Sequence, residues 1–251
     1  MHRTLAALML VAVACAAPEP GPSGEAFDAV SEPGATRITW SGIEWLVKYG
    51  DGKSPGNNAW RTDNVFVDAD GALHLRVQQD QDGKWTCAEI WSVPTFGWGT
   101  YRFDVVGRLD ELPAQAVLGL FNIRRSGDPL EPTSEIDIEY SAWGAAPPAD
   151  RGSFTLWGPD IPTGPIATRH FPVTLFGTYT SHAFEWRRDG IRWESRHGHG
   201  PNGVVIDSRS FAMPEGAGET PRSVHLNLWL FRGQAPASAA EVVVQRFEYA
   251  P

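Results

Sequence analysis

Glu135-Ile136-Asp137-Ile138-Glu139-Tyr140 alternates an acid with an apolar or aromatic side chain at every step. Successive side chains of a β-strand point to opposite faces, so the hexapeptide reads as a strand with one buried face and one face of three carboxylates. Upstream of it, Val117-Leu-Gly-Leu-Phe-Asn-Ile123, Gly99-Thr-Tyr-Arg-Phe-Asp-Val-Val106, Leu73-His-Leu-Arg-Val77 and Asn64-Val-Phe-Val-Asp68 are short alternating or β-branched runs. Downstream the same texture continues through Ser153–Trp157, His182–Trp186, Gly190–Ser195, Val224–Leu230 and Glu241–Tyr249. Asp70-Gly71, Asp82-Gly83 and Asp189-Gly190 lie between such runs and favour hairpins. No segment longer than a turn or two has helical spacing, and no internal repeat of the propeller or solenoid kind is present. The expected fold class is all-β, a two-sheet antiparallel β-sandwich.

The chain has 251 residues, of which 42% are hydrophobic, enough for one sizeable core. Its 30 acidic residues against 21 basic ones give a formal charge of -9, which disfavours nucleic acid and anionic membrane surfaces as partners. Eleven Trp, twelve Phe and five Tyr exceed what a core of this size needs. Their flat apolar faces with polar edges suit stacking against sugar rings as well as core packing.

The N-terminus begins with His2 and Arg3, runs apolar from Leu5 to Val13, and then turns to small residues around Ala14. Residues 1–17 therefore read as an export signal, too short to span a bilayer, and imply a secreted or envelope-anchored protein. Ala12-Val13-Ala14-Cys15 also resembles a bacterial lipoprotein signal, with Cys15 as the acylated residue and a membrane anchor as the consequence. Residues 18–36 are rich in Ala, Pro, Gly, Ser and Glu and read as a linker, leaving 37–251 as the folded domain. The only other cysteine is Cys87, so no intramolecular disulfide framework is expected.

Three acids on one strand face suit a reaction that needs both a nucleophile and a general acid. Retaining glycosidases place two such carboxyls about 5 to 5.5 Å apart. Glu135 and Glu139 lie roughly 13 Å apart at their Cα atoms by strand rise, so their side chains must lean together over Asp137. Close carboxylates cannot all ionise cheaply, and one of them should keep its proton near neutrality.

Around this strand, Thr86-Cys-Ala-Glu-Ile-Trp-Ser-Val-Pro-Thr-Phe-Gly-Trp-Gly-Thr-Tyr101 and Asn57-Asn-Ala-Trp-Arg-Thr-Asp-Asn-Val65 resemble segments of glycoside hydrolase family 16, above all of the bacterial lichenases. Asn227-Leu-Trp229 and His182-Ala-Phe-Glu-Trp186 are similar to that family's late strands, and the resemblance runs in order from about Thr36 to Tyr249. It implies a concanavalin A-like jelly-roll with an open cleft, acting endo on a β-linked polysaccharide with retention at the anomeric carbon. Glu135 matches the nucleophile, Glu139 the acid/base and Asp137 the aspartate between them. Asn57, Glu89, Asn227 and Trp229 match cleft-lining positions, with a turn role for Asn57 and a core role for Trp229 as alternatives. Trp91, Trp98, Trp143 and Trp157 are further candidates for sugar stacking, against core or rim packing. The resemblance implies no required cofactor, is compatible with a structural calcium ion, and goes with a monomer acting on β-1,3/1,4-glucan or a related galactan.

Departures from the lichenase pattern accompany the matches. Trp91 stands where lichenases have an arginine, Thr133 where they have a tryptophan before the nucleophile, and Ile123 at a third, aromatic position. Asn58 replaces the cysteine that pairs with the equivalent of Cys87, so that disulfide is lost. Two other readings stand beside hydrolysis: a transglycosylase using the same intermediate, and a non-catalytic carbohydrate-binding protein on the same sandwich. His197 and His199 have metal-ligand chemistry, but their glycine-rich setting reads as a loop and spacing supplies no third ligand, so no metal site is expected.

Overall fold

A computed structural model describes residues 35–124, 133–146, 149–158, 164–215 and 220–251. The expected export signal, with Cys15, and the linker up to residue 34 lie outside the described residues.

Eighteen strands form the described part of the fold: β1 (Arg37–Trp40), β2 (Ile43–Val47), β3 (Gly50–Lys53), β4 (Asn58–Trp60), β5 (Val65–Val67), β6 (Leu73–Gln79), β7 (Trp85–Thr86), β8 (Ala88–Phe96) and β9 (Gly99–Val106). They continue as β10 (Ala116–Ile123), β11 (Glu135–Tyr140), β12 (Gly152–Trp157), β13 (Pro165–Phe171), β14 (Tyr179–Trp186), β15 (Gly190–His197), β16 (Val205–Ala212), β17 (Arg222–Leu230) and β18 (Ala240–Ala250). The first sheet has the order β1-β2-β8-β17-β10-β11-β12-β13 and the second β16-β15-β14-β9-β18-β6-β5, with β7 appended to β6 and β3-β4 as a separate ribbon. The neighbouring strands of both sheets pair antiparallel, and the three Asp-Gly turns join β5 to β6, β6 to β7 and β14 to β15 as expected. The fold is an all-β antiparallel jelly-roll sandwich.

The alternating pattern sets which side chains lie between the sheets. In β6, Leu73, Leu75 and Val77 are fully buried while His74, Arg76 and Gln78 face outward. In β11 the buried set is Ile136, Ile138 and Tyr140, which join Phe154, Leu156, Trp193 and Leu226 in one core. Truncating one such aliphatic side chain to alanine typically costs about 2–5 kcal/mol, so the core fixes strand register and thereby which face carries the acids. Several strands gave no clear signal in the sequence. β13 and β16 close the ends of their sheets, are largely exposed, and carry mixed polar residues as edge strands do.

β11 is also anchored from below by a polar group. Tyr140 Oη donates to Ser195 Oγ at 2.8 Å and lies 3.1 Å from His182 Nδ1, and His182 Nε2 lies 2.9 Å from Thr180 Oγ1. Burial pushes the His182 imidazole down to about 3, so it stays neutral and the network between the two sheets does not open on titration.

Candidate active site

Residues directly opposite one another on antiparallel strands share a face. Three rows of side chains therefore cross the outer face of the first sheet. One runs Glu89, Asn227, Gly119, Glu139, Ser153; the next runs Trp91, His225, Phe121, Asp137, Thr155; the third includes Ser223, Ile123, Glu135 and Trp157. The three acids of β11 thus share their face with Glu89, Trp91, Asn227, Trp229 and Trp157, all singled out in the sequence. Asp137 is 3% exposed, while Glu135 and Glu139 are only partly covered.

Trp157 Nε1 donates to Asp137 Oδ2 at 2.6 Å, so this half-buried ring orients the central acid. Burial, followed by the charges of Glu135 and Glu139, lifts the Asp137 carboxyl well above the usual range. It therefore keeps its proton beside Glu135, and its Oδ1 has no partner among the described residues. Burial pushes Glu135 up to about 7; the Asp137 carboxyl lowers it, the Glu89 charge raises it, and the Arg222 charge lowers it. Burial and the Glu135 charge push Glu139 up to about 8, with the Ser153 hydroxyl pulling the other way. All three carboxyls are thus raised by burial and by one another, so the triplet holds protons near neutrality, the condition a general acid requires. Replacing Trp157 with Phe removes the donor to Asp137 while keeping a ring, and is expected to lower kcat about tenfold, the loss of roughly one directed hydrogen bond. Unchanged kcat in that variant contradicts the orienting role.

Glu89 is 1% exposed and has both oxygens engaged. Lys48 Nζ lies 2.8 Å from Oε2 and His225 Nδ1 lies 2.9 Å from Oε1. Burial alone would raise this carboxyl, but the Lys48 ammonium and His225 outweigh it and hold it below the usual range. His225 is stacked between Trp91, at 6.0 Å, and Phe121, at 5.0 Å. Trp91 is thus part of a packed stack, 9% exposed. Asn227 lies over Gly119, where an added Cβ would come within 2.4 Å of its Oδ1. Only glycine at 119 lets the amide reach toward Glu139, and Asn227 Oδ1 has no partner among the described residues. Trp229 is 8% exposed and packs edge-on against Trp143 at 6.1 Å.

Two candidates stand apart from the rows. Asn57 adopts φ 57° in the turn before β4, a left-handed conformation that asparagine tolerates, so its place is set by the turn. Trp98 sits in the β8–β9 turn, packed against the core, with its carbonyl accepting from Tyr249 Oη at 2.7 Å. His197 stacks on Phe176, and His199 Nε2 bonds to Val105 O at 3.0 Å. Among the described residues, no group of three or more His, Cys, Asp or Glu is arranged to hold a metal ion.

Cys87 is buried as a free thiol, pushed up to about 12 by burial. Asn58, in place of the expected cysteine, donates through Nδ2 to Leu230 O at 2.9 Å and to Pro55 O at 2.8 Å. These bonds tie the Pro55–Asn58 turn to the end of β17 without a disulfide. Lys48, His225, Phe121 and Arg222 were not anticipated from the sequence. The odd-numbered alternation of His225 with Asn227 and Trp229 was the one legible signal among them; Lys48 matters only because β2 lies beside β8.

A jelly-roll whose outer sheet face carries three acids on a single strand defines a protein of the glucanase architecture. No family model matches the chain. It is 25% identical over 188 residues to the β-glucanase of Bacillus licheniformis, covering 71% of this chain and 67% of that protein, and 24% identical over 187 residues to the β-glucanase of Bacillus subtilis, with the same coverage. The solved Bacillus licheniformis β-glucanase aligns with a TM-score of 0.61 at 19% identity, over 88% of this chain and all of that one. A Bacteroides ovatus family 16 enzyme of a mixed-linkage glucan locus, in complex with a G4G4G3G product, aligns with a TM-score of 0.62 at 13% identity, over 82% and 94%. The chain has the jelly-roll of the family 16 glycoside hydrolases, as its motifs implied.

Proposed function

We propose that the chain is an endo-acting retaining β-glycoside hydrolase that cuts a β-linked polysaccharide, a β-1,3/1,4-glucan or a related galactan. The observation that carries this reading is the carboxyl triplet of β11, with Glu135, Asp137 and Glu139 on one face of a single strand and all three raised by burial. Glu135 Oε attacks the anomeric carbon as Glu139 protonates the departing glycosidic oxygen, giving a glycosyl-enzyme ester and a free sugar hydroxyl. Glu139, now a carboxylate, takes a proton from water. The resulting hydroxide adds to the anomeric carbon and releases Glu135, so configuration is retained after two inversions. Asp137, held by Trp157, stands beside Glu135 and limits its rise. Asn227, in the same row as Glu139 and with a carbonyl oxygen that has no partner among the described residues, is suited to a sugar hydroxyl.

The names of the relatives support a glucan as the first substrate to test. Trp91, which stands where lichenases have an arginine, packs into a stack with His225 and Phe121 on this floor, which is why the galactan alternative is kept. The export signal, anchoring through Cys15 and action as a monomer belong to the same proposal.

The test is product release from β-1,3-glucan, mixed-linkage glucan, xyloglucan, agarose and carrageenan. Mid-chain oligosaccharides from one polymer are expected. Binding without release makes the protein a carbohydrate-binding module, and products longer than the substrate make it a transglycosylase.

A further inference from the structure

Arg222 opens β17 with its guanidinium turned to the inside of the sandwich and no exposed surface. Its Cζ lies 4.3 Å from the ring centroid of Trp186, on β14 of the opposite sheet. Its Nη2 donates to Thr133 Oγ1 at 2.6 Å and to Thr133 O at 3.2 Å, and Nη1 reaches Asn122 Oδ1 at 3.5 Å. Thr133 is two residues before Glu135. The next residue is pinned from the other side, with Ser134 N donating to Trp157 O at 3.0 Å and Ser134 Oγ to Gly158 O at 2.5 Å.

A fully buried arginine is costly unless its donors are met and its charge is used nearby. Here it meets the last residues before the candidate nucleophile. Resting on the reading of Glu135 as that nucleophile, we propose that Arg222 is a positioning residue: it clamps Thr133 at the entry to β11 and sets its guanidinium on the core side, two residues along the chain from Glu135. The threonine found where lichenases have a tryptophan gains a reason from this pairing, since its hydroxyl accepts the arginine's shortest hydrogen bond.

The groups facing Glu135 leave Arg222 a distinct part. On its own strand stand Asp137 and Glu139, and on β8 stands Glu89, whose charge opposes ionisation and is itself engaged by Lys48 of the β2 end and His225 of β17. Its cross-strand neighbours, Ile123 on β10 and Trp157 on β12, carry no charge. Among the described residues, Arg222 is the cation whose field lowers Glu135.

The experiment titrates the Glu135 carboxyl by 13C NMR of glutamate-labelled protein, with Glu135→Gln to assign the resonance, in the parent and in Arg222→Lys, Arg222→Met and Asn122→Asp. Arg222→Met removes the charge, and Asn122→Asp neutralises it in place with little change of shape, so either answers the question if the other does not fold. Both are expected to raise the midpoint by about one pH unit, a tenfold change in proton affinity. Arg222→Lys is expected to keep the parental midpoint but to lose several-fold in kcat, because one ammonium cannot hold Thr133 as the guanidinium does. Midpoints equal to the parent's in the folded neutral variants overturn the proposal. The titration needs no substrate, so a parent that hydrolyses nothing sinks the functional reading and leaves this coupling to be judged on its own.

Discussion

Glu135→Gln is expected to reduce turnover by at least about ten-thousandfold while the thermal unfolding midpoint stays near or above the parental value. The loss follows from the chemistry. An amide cannot form the glycosyl ester, and removing a nucleophile from a machine whose parts act together costs several powers of ten. The preserved fold follows from placement, because Glu135 projects from the outer face of the first sheet while its neighbours Ile136 and Ile138 make the core contacts. Glutamine also removes a carboxyl whose ionisation burial opposes, so the attraction to Arg222 that is lost is offset by relief of that desolvation. Residual activity within tenfold of the parent on any substrate shows that another group is the nucleophile.

Glu139→Gln should separate substrates by their leaving groups. Polysaccharide cleavage is expected to fall by about a thousandfold, because a sugar alkoxide needs a proton to depart. An aryl glycoside with an activated phenol should lose less than tenfold in its first step. The parent should show a bell-shaped kcat/KM profile, with its acid limb set by ionisation of Glu135 and its alkaline limb by loss of the Glu139 proton, between about 7 and about 8 in the free protein. The variant should lack the alkaline limb. The stability sign is equally definite. A carboxyl whose folded pKa is raised favours the fold below its unfolded value and withdraws that support as pH climbs to the folded one. For Glu139 that window runs from the ordinary glutamate value of 4.5 to about 8, so Glu139→Gln should gain stability relative to the parent across it. Identical pH profiles for parent and variant, together with equal losses on both substrate types, remove Glu139 from the acid role.

How much of this was legible in the chain depends on how far each feature reaches. Strand β11 and its split into Ile136, Ile138, Tyr140 on one face and three acids on the other follow from period-2 alternation, a local property that needs no partner. The same holds for β6, β10 and β17 and for the Asp-Gly hairpins. Edge strands such as β13 and β16 were unreadable because their burial is one-sided and slight, so selection for apolar alternation is weak.

The candidate site divides in the same way. The sequence by itself determined that three carboxylates share a strand face and that an all-β sandwich surrounds them. Only the tertiary structure decided which other side chains those carboxylates meet. Trp157 became the donor to Asp137, and Trp91 became part of a stack with His225 and Phe121, because three strands distant in the chain came into register. Arg222 lies 87 residues beyond Glu135 and reads in the sequence as an ordinary charged strand start; pairing of β17 with β10 and packing against Trp186 of β14 bring its guanidinium onto Thr133, two residues before that glutamate. The physical reason is that alternation is fixed by backbone geometry one residue at a time. Proton affinity and side-chain orientation are fixed by burial and by charges a few ångströms away, which the chain acquires only when its sheets close.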